Sequence, residues 1–376
     1  MTCKDSAPAE NRQVAQASYK IKAISILIII YIILFPHLSH AFEQRIQMKS
    51  PPSREGPTTV HIGLFLLDII YIDQPKQMLR ARYALSLNWK DPRLVFESKD
   101  GKPVVFVGEE VEDQKKNMWW PDPQIINQLG EMIVINKRLV IAPDGDILYS
   151  TVFVVDTETI LEFRKFPFDR QIIRIEFESF SYPYQELDYK VWNERMGINQ
   201  AIQNDEWILY SMSSTAGIRR LWGSEVENWS YVNFRVPIHR RTAYYLWRIL
   251  FPFCFFILLS TCVFWMQRES LDRRVSIVVA FALTAVAFNF VVSGFFPNVS
   301  YLTILDAIIL SGYLMCGITI VSVISLEVSK HKGREKIWNY GNIAARFVFP
   351  LLYILVWYGI YDMFMNMKDQ IVYLVQ

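Results

Sequence analysis

The chain has 376 residues, 52% of them hydrophobic, and a formal net charge of +2. That length leaves room for two domains and a large core. So small a charge, with no long run of one sign, points away from nucleic acid or any other polyanionic partner.

At the N-terminus, Lys20 and Lys22 precede the apolar residues 23–35 and then Ser39-His40-Ala41. This order reads as a secretory signal over residues 1–41, cleaved after Ala41. The alternative is a retained fifth helix, for which about 13 apolar residues are short. Residues 42–241 follow and contain no cysteine, so an exported domain here must fold without disulfides. Its apolar residues recur with the period of strands. Tyr83, Leu85, Leu87 and Trp89 share one face against Arg82, Ala84, Ser86 and Asn88. Ile173, Ile175 and Phe177 alternate with Arg174 and Glu176, and Val232, Phe234 and Val236 with Asn233 and Arg235. With a turn signal at Pro143-Asp144-Gly145-Asp146, the pattern predicts an antiparallel β-sandwich. The sequence has no phosphate loop, dinucleotide fingerprint, zinc-protease helix or nucleophile elbow, and its five histidines form no metal-ligand cluster. It reads as no enzyme, and no cofactor is implied.

Four apolar stretches crowd the last third, at 244–266, 275–296, 301–326 and 343–365. Each is at or above the roughly 20 residues needed to cross a bilayer core as a helix. The first gap between them carries Arg268, Arg273 and Arg274, and the third carries Lys330, Lys332, Arg334 and Lys336. The middle gap, 297–300, has no Lys or Arg. Basic loops stay in the cytoplasm, so the sandwich and the C-terminal tail lie outside. Residues 242–376 thus form a membrane domain with a short cytoplasmic loop at 327–342, and the layout is that of a plasma-membrane receptor.

Several motifs, in order, resemble the pentameric ligand-gated ion channels, or Cys-loop receptors. Trp89-Lys90-Asp91-Pro92-Arg93-Leu94 resembles that family's W-x-D-x-R-L, Trp119-Trp120-Pro121-Asp122 its W-x-P-D, and Phe166-Pro167-Phe168-Asp169-Arg170-Gln171 its F-P-F-D-x-Q. Arg240 with Tyr244-Tyr245 and Pro252 is similar to the entry into the first membrane helix. Pro297, Tyr301 and Asp306 resemble the turn between the second and third helices, and Arg346 with Phe349-Pro350 the start of the fourth. The two cysteines that should close the F-P-F-D loop are replaced by Thr159 and Ile173, and the large intracellular domain of many animal receptors is missing.

The resemblance implies a homopentamer embedded in lipid, opened by a small molecule bound between subunits and conducting inorganic ions. A non-conducting subunit, or one that co-assembles with others, is the alternative. Phe180, Tyr182, Trp222 and Trp229 fall where the family cages its ligand with aromatics, whereas Ile126 and Ala84 occupy two further such positions without them. Aromatic faces attract ammonium groups, but with two positions lacking, a less polar or amphiphilic ligand fits equally well. Trp89 and Trp119 read as core. The family's pore-lining positions fall on Ser276, Ala280, Leu283, Ala287, Phe290 and Gly294, whose steps of 4, 3, 4, 3 and 4 keep them on one helical face. Leu283 and Phe290 are gate candidates, because apolar constrictions can gate by dewetting. Selectivity signals conflict. Arg273 stands where cation-selective members carry Glu, while Asp272 and Arg273 replace the Pro-Ala pair of anion-selective members. A ring of Asp272, with Glu269 one turn out, favours cations. Coupling between domains is assigned to Asp169 and Phe168 of the F-P-F-D loop, Arg240, the turn at Pro297 and the loop 73–76.

Overall fold

Apolar residues at every second position give a strand one oily face, and in the computed structural model of the protein those faces close on each other as a sandwich. The structure describes residues 48–53, 55–220, 228–266, 269–294, 297 and 299–367. The proposed signal and Trp222 lie outside the described residues. The sandwich consists of β1 (Thr58–Asp73), β2 (Met78–Lys90), β3 (Val104–Val107), the short helix α1 (Glu109–Lys115), β4 (Pro123–Ile125), β5 (Gln128–Ile141), β6 (Asp146–Glu158), β7 (Arg170–Ser179), β8 (Leu187–Val191), β9 (Gly197–Ile198), β10 (Trp207–Leu209), β11 (Ser213–Arg220) and β12 (Asn228–Arg240). One sheet runs β3-β5-β6-β2-β1-β8, with β9 also on β1. The other runs β10-β12-β7-β4, with β11 on β12. Pairing is antiparallel except along one edge, where β8 and β9 run parallel to β1.

Tyr83, Leu85, Leu87 and Trp89 of β2 meet Ile173, Ile175 and Phe177 of β7 and Val232, Phe234 and Val236 of β12 in one core, which also buries Trp119. In β1 the inward set Val60, Ile62, Leu64 and Leu66 is interrupted by a register shift between Leu66 and Asp68, after which Ile69 turns inward. The hairpin between β5 and β6 turns at Gly145, whose φ is +81°. A Cβ there would also sit 2.5 Å from the carbonyl oxygen of Asp91, so both backbone and space demand glycine.

Four helices long and apolar enough to cross a membrane follow: α2 (Ala243–Trp265), α3 (Leu271–Ser293), α4 (Ile304–His331) and α5 (Glu335–Met365). In α2 a π-helical turn, Leu246–Leu250, precedes Pro252. A proline lacks the amide hydrogen and its ring crowds the carbonyl four residues back, which a wider turn relieves. The capping box of α4 is formed by Thr303, whose hydroxyl accepts from the Asp306 amide at 3.1 Å, while Asp306 accepts from the Thr303 amide at 3.1 Å. The helices outrun the apolar stretches. Helix α3 begins at Leu271, capped by the Ser270 hydroxyl, and only residues 332–334 separate α4 from α5. Apolar length registers the hydrocarbon thickness, whereas charged residues such as Asp272 and Lys330 continue the helix into water.

Candidate functional site

The junction between sandwich and membrane domain is built on Arg240, the last residue of β12. Its guanidinium grips Asp169 with two hydrogen bonds, Nε to Oδ1 at 2.7 Å and Nη2 to Oδ2 at 2.9 Å. Both side chains are almost wholly buried. A third bond runs from Nη1 to Glu206 Oε1 at 2.5 Å. The aromatic rings of Trp207 and Phe166 lie 4.1 and 4.7 Å from the guanidinium carbon. Burial pulls the guanidinium pKa down, but the hydrogen bonds and charge of Asp169 outweigh it and raise the pKa above the ordinary arginine value. Arg240 is therefore a fixed cation. Asp169 also accepts from Gln171 Nε2 at 2.6 Å, and Gln171 holds the backbone of Glu162 in the same loop.

Glu206 extends this network. Its Oε1 accepts from Gln74 Nε2 in the β1–β2 loop and from the Tyr245 hydroxyl of α2, each at 2.6 Å. The loop 73–76 thus reaches Arg240 through one carboxylate. The turn before α4 engages through Tyr301, whose hydroxyl accepts from the Phe163 amide at 3.1 Å and whose ring lies 4.6 Å from the Arg164 guanidinium. The Ile304 amide bonds to the Arg164 carbonyl at 2.9 Å. Pro297 itself is half-buried. Phe168 packs edge-on against Tyr361 of α5, with ring centroids 5.5 Å apart. Glu206 carries no sequence signal, since Asn204-Asp205-Glu206-Trp207 reads as an ordinary polar loop, whereas Gln74 lies in the loop 73–76 assigned to coupling from the sequence.

Helix α3 is two-faced in a way composition hides. Ser276, Ala280, Leu283, Ala287, Phe290 and Gly294 are all exposed, with Leu283 at 65% and Phe290 at 74%. Arg274, Val278, Ala285 and Val292 are buried against the other helices. At the start of the helix Asp272 and Arg273 are exposed, and Arg273 forms an ion pair with the half-exposed Glu269 one turn earlier. Arg274 turns the other way. It donates to the Val263 carbonyl at 3.2 Å and Asn342 Oδ1 at 2.9 Å, and lies 3.7 Å from Glu327, binding α3 to the ends of α2, α4 and α5.

The aromatic candidates are spread around the membrane-distal part of β7 and β12. Phe180, just past β7, is 63% exposed. Tyr182 folds inward, its ring 5.5 Å from that of the buried Trp119. Trp229 is half-buried on the outer face of β12, opposite Arg219 of β11. Arg219 pairs with Glu176 and Glu178 and lies 5.1 Å from the Tyr231 ring. Ile126, half exposed, stands apart from these aromatics on the wall of a cleft of about 580 Å³ that reaches down to Tyr301. Ala84 is half-buried on β2. Among the described residues no group of His, Cys, Asp and Glu could hold a metal ion.

A sandwich carried on four membrane helices, one of them with an exposed face of small and apolar residues, defines a membrane receptor with a channel-forming domain. Residues 34–242 match the family model of the neurotransmitter-gated ion-channel ligand binding domain, and the chain belongs to the pentameric ligand-gated ion channels of the Cys-loop superfamily. Along 306 residues it is 25% identical to a proton-gated ion channel of Gloeobacter violaceus, covering 81% of this chain and 83% of that one. It is 28% identical over 224 residues to the gamma-aminobutyric acid receptor subunit rho-2 of Bos taurus, covering 58% of this chain and 47% of that subunit. The rho-1 subunit of Mus musculus is 26% identical over 262 residues, covering 66% and 53%. The chain spans about half the length of these receptor subunits. It is a subunit of a ligand-gated ion channel and not an enzyme, a multi-pass protein of the plasma membrane with its ligand-binding domain outside.

Proposed function

We propose that the chain forms a homopentameric, cation-selective channel opened by an extracellular small molecule. In this reading residues 1–41 are removed as a secretory signal, residues 42–241 form the extracellular unit and residues 242–376 the membrane unit. The observation that carries it is the division of α3 into a buried face anchored by Arg274 and an exposed face holding Ser276, Ala280, Leu283, Ala287, Phe290 and Gly294. Five such faces around an axis line a pore, with Leu283 and Phe290 as apolar rings that dewet when closed. Arg274 is withdrawn into its own bundle and Arg273 is neutralised by Glu269. The exposed Asp272 is then the charge left to form a ring at the cytoplasmic mouth, which favours cations. Outside, Phe180, Tyr182, Trp222 and Trp229, together with Ile126, receive the ligand between subunits. Asp169, Phe168, Arg240 and Pro297 transmit its binding to α3. Expression in voltage-clamped cells with a ligand panel that includes protons tests the reading. Ligand-evoked current is expected, with a reversal potential that follows sodium. Binding by purified pentamer without current would leave a non-conducting receptor instead.

A further inference from the structure

Arg174 of β7 and Arg235 of β12 are direct partners across the antiparallel pair, so both side chains stand on the outer face of the same sheet. Like charges placed directly opposite destabilise a sheet unless something neutralises them. Here the protein does not. Among the described residues neither guanidinium makes an ion pair or donates to another side chain, and Arg235 Nε is buried without a hydrogen bond. Two of the neighbouring carboxylates are occupied elsewhere: Glu176 by Arg219 and Asn233 Nδ2 at 3.3 and 3.2 Å, and Glu162 by Arg164 at 3.4 Å. Burial, and then the charge of Arg235, hold the Arg174 guanidinium below its usual pKa, with Glu176 offsetting only part. The backbone beneath is fixed, because Asn127 Nδ2 donates to the Arg174 carbonyl at 2.9 Å.

Arg174 also lines the cleft of about 580 Å³, between an apolar wall of Ile126, Ile160 and Ile172 and the carboxylates Glu158, Glu162 and Glu176. Guanidiniums on directly opposed residues of one sheet face can each offer N–H donors to one oxygen of a carboxylate placed between them. The apolar wall suits a short hydrocarbon tail, and the surrounding acidic side chains disfavour a multiply charged anion. The geometry points to a binding site for a small organic monocarboxylate between Arg174 and Arg235, with its tail against Ile126 and Ile172. This site adjoins the proposed agonist position at Ile126 but uses none of Phe180, Tyr182 or Trp229, and it stands whether or not the channel conducts.

The test is thermal unfolding of the purified full-length pentamer against sodium butyrate, with butyramide as the uncharged control, at constant pH and ionic strength. Butyrate should raise the unfolding temperature saturably and butyramide should not. Arg174→Gln and Arg235→Gln should each weaken the half-saturating concentration roughly tenfold or more, the loss expected when one charge-assisted pair is removed. Trp229→Ala should leave it unchanged. If the glutamine variants do not assemble, Arg174→Lys and Arg235→Lys keep the charge without the planar fork, and each should still weaken butyrate. In the wild type, hexanoate should bind more tightly than acetate. A flat wild-type response, equal half-saturation in the arginine variants, or loss of the butyrate shift in Trp229→Ala would each overturn the site. So would arginine variants that lose stability equally with and without butyrate, since a neighbouring subunit's own carboxylate would then be filling the pair.

Discussion

Arg240 shows how much a single side chain can hold at a domain boundary. Its side chain is fully buried among Asp169, Glu206, Trp207 and Phe166, and removing it strands one carboxylate that is itself almost fully buried. Breaking a buried pair from one side costs roughly 3–5 kcal/mol. Arg240→Ala and Asp169→Ala are each expected to reduce surface pentamer and channel opening more than ligand binding. The double variant should cost less than their sum, because neither charge is then left alone. Radioligand binding, surface labelling and current measured on all three variants check this, and strict additivity would mean the pair carries no coupling. Arg240→Lys should fall between, since an ammonium can replace the charge but neither the fork nor the stacking. Glu206→Gln should be milder, because its side chain is one-third exposed and the amide can still accept from Gln74 and Tyr245.

At the scale of an element, α3 carries two opposite kinds of sensitivity. Leu283 faces away from its own bundle, 65% exposed, so Leu283→Ser leaves the packing of the bundle intact and, in the proposed assembly, acts on the pore. It should lower the cost of wetting the constriction, shifting dose–response curves to lower ligand or giving standing current. A conducting variant with an unchanged dose–response would remove Leu283 from the gate. Arg274 is the reverse case. Arg274→Ala deletes the hydrogen bonds to Val263 and Asn342 and leaves Glu327 without its nearby guanidinium. A hydrogen bond involving a charged group is worth about 1.5–3 kcal/mol. Thermal melts of purified pentamer should therefore show Arg274→Ala clearly less stable than Asp272→Ala, whose carboxylate is exposed.

At the scale of the whole molecule, the proposed assembly predicts that this chain needs no other subunit. Expressed alone it should give ligand-evoked current. Mixing wild-type and Leu283→Ser chains in varied ratio should move agonist sensitivity in graded steps, as expected when each copy contributes one side chain to a shared ring. Current that appears only with a second kind of subunit would rule out the homopentamer. Selectivity belongs to the same scale, because a ring of carboxylates exists only in the assembly. Sodium substitution should shift the reversal potential, and Asp272→Ala should abolish that shift. A shift that follows chloride alone would defeat the cation reading.

Local pattern was enough for much of this. Alternation at Tyr83–Leu85–Leu87–Trp89 placed a strand and its inward face, because side chains on a pleated backbone alternate whatever lies beside them. The four apolar stretches placed the membrane helices, because a bilayer requires that length in one run. The 4-3 spacing from Ser276 to Gly294 grouped the face that α3 leaves exposed. Tertiary structure decided what depends on two distant parts of the chain meeting. Alternation does not encode pairing direction, so the parallel edge of β8 and β9 on β1 was illegible. Gln74 and Glu206 are 132 residues apart, and nothing near either announces the other. The opposed pair Arg174 and Arg235 likewise exists only once β7 and β12 are in register. Arg273 and Arg274, adjacent in sequence, part company for the same reason: successive helical residues point about 100° apart, and only the packed bundle determines which of them is taken inside.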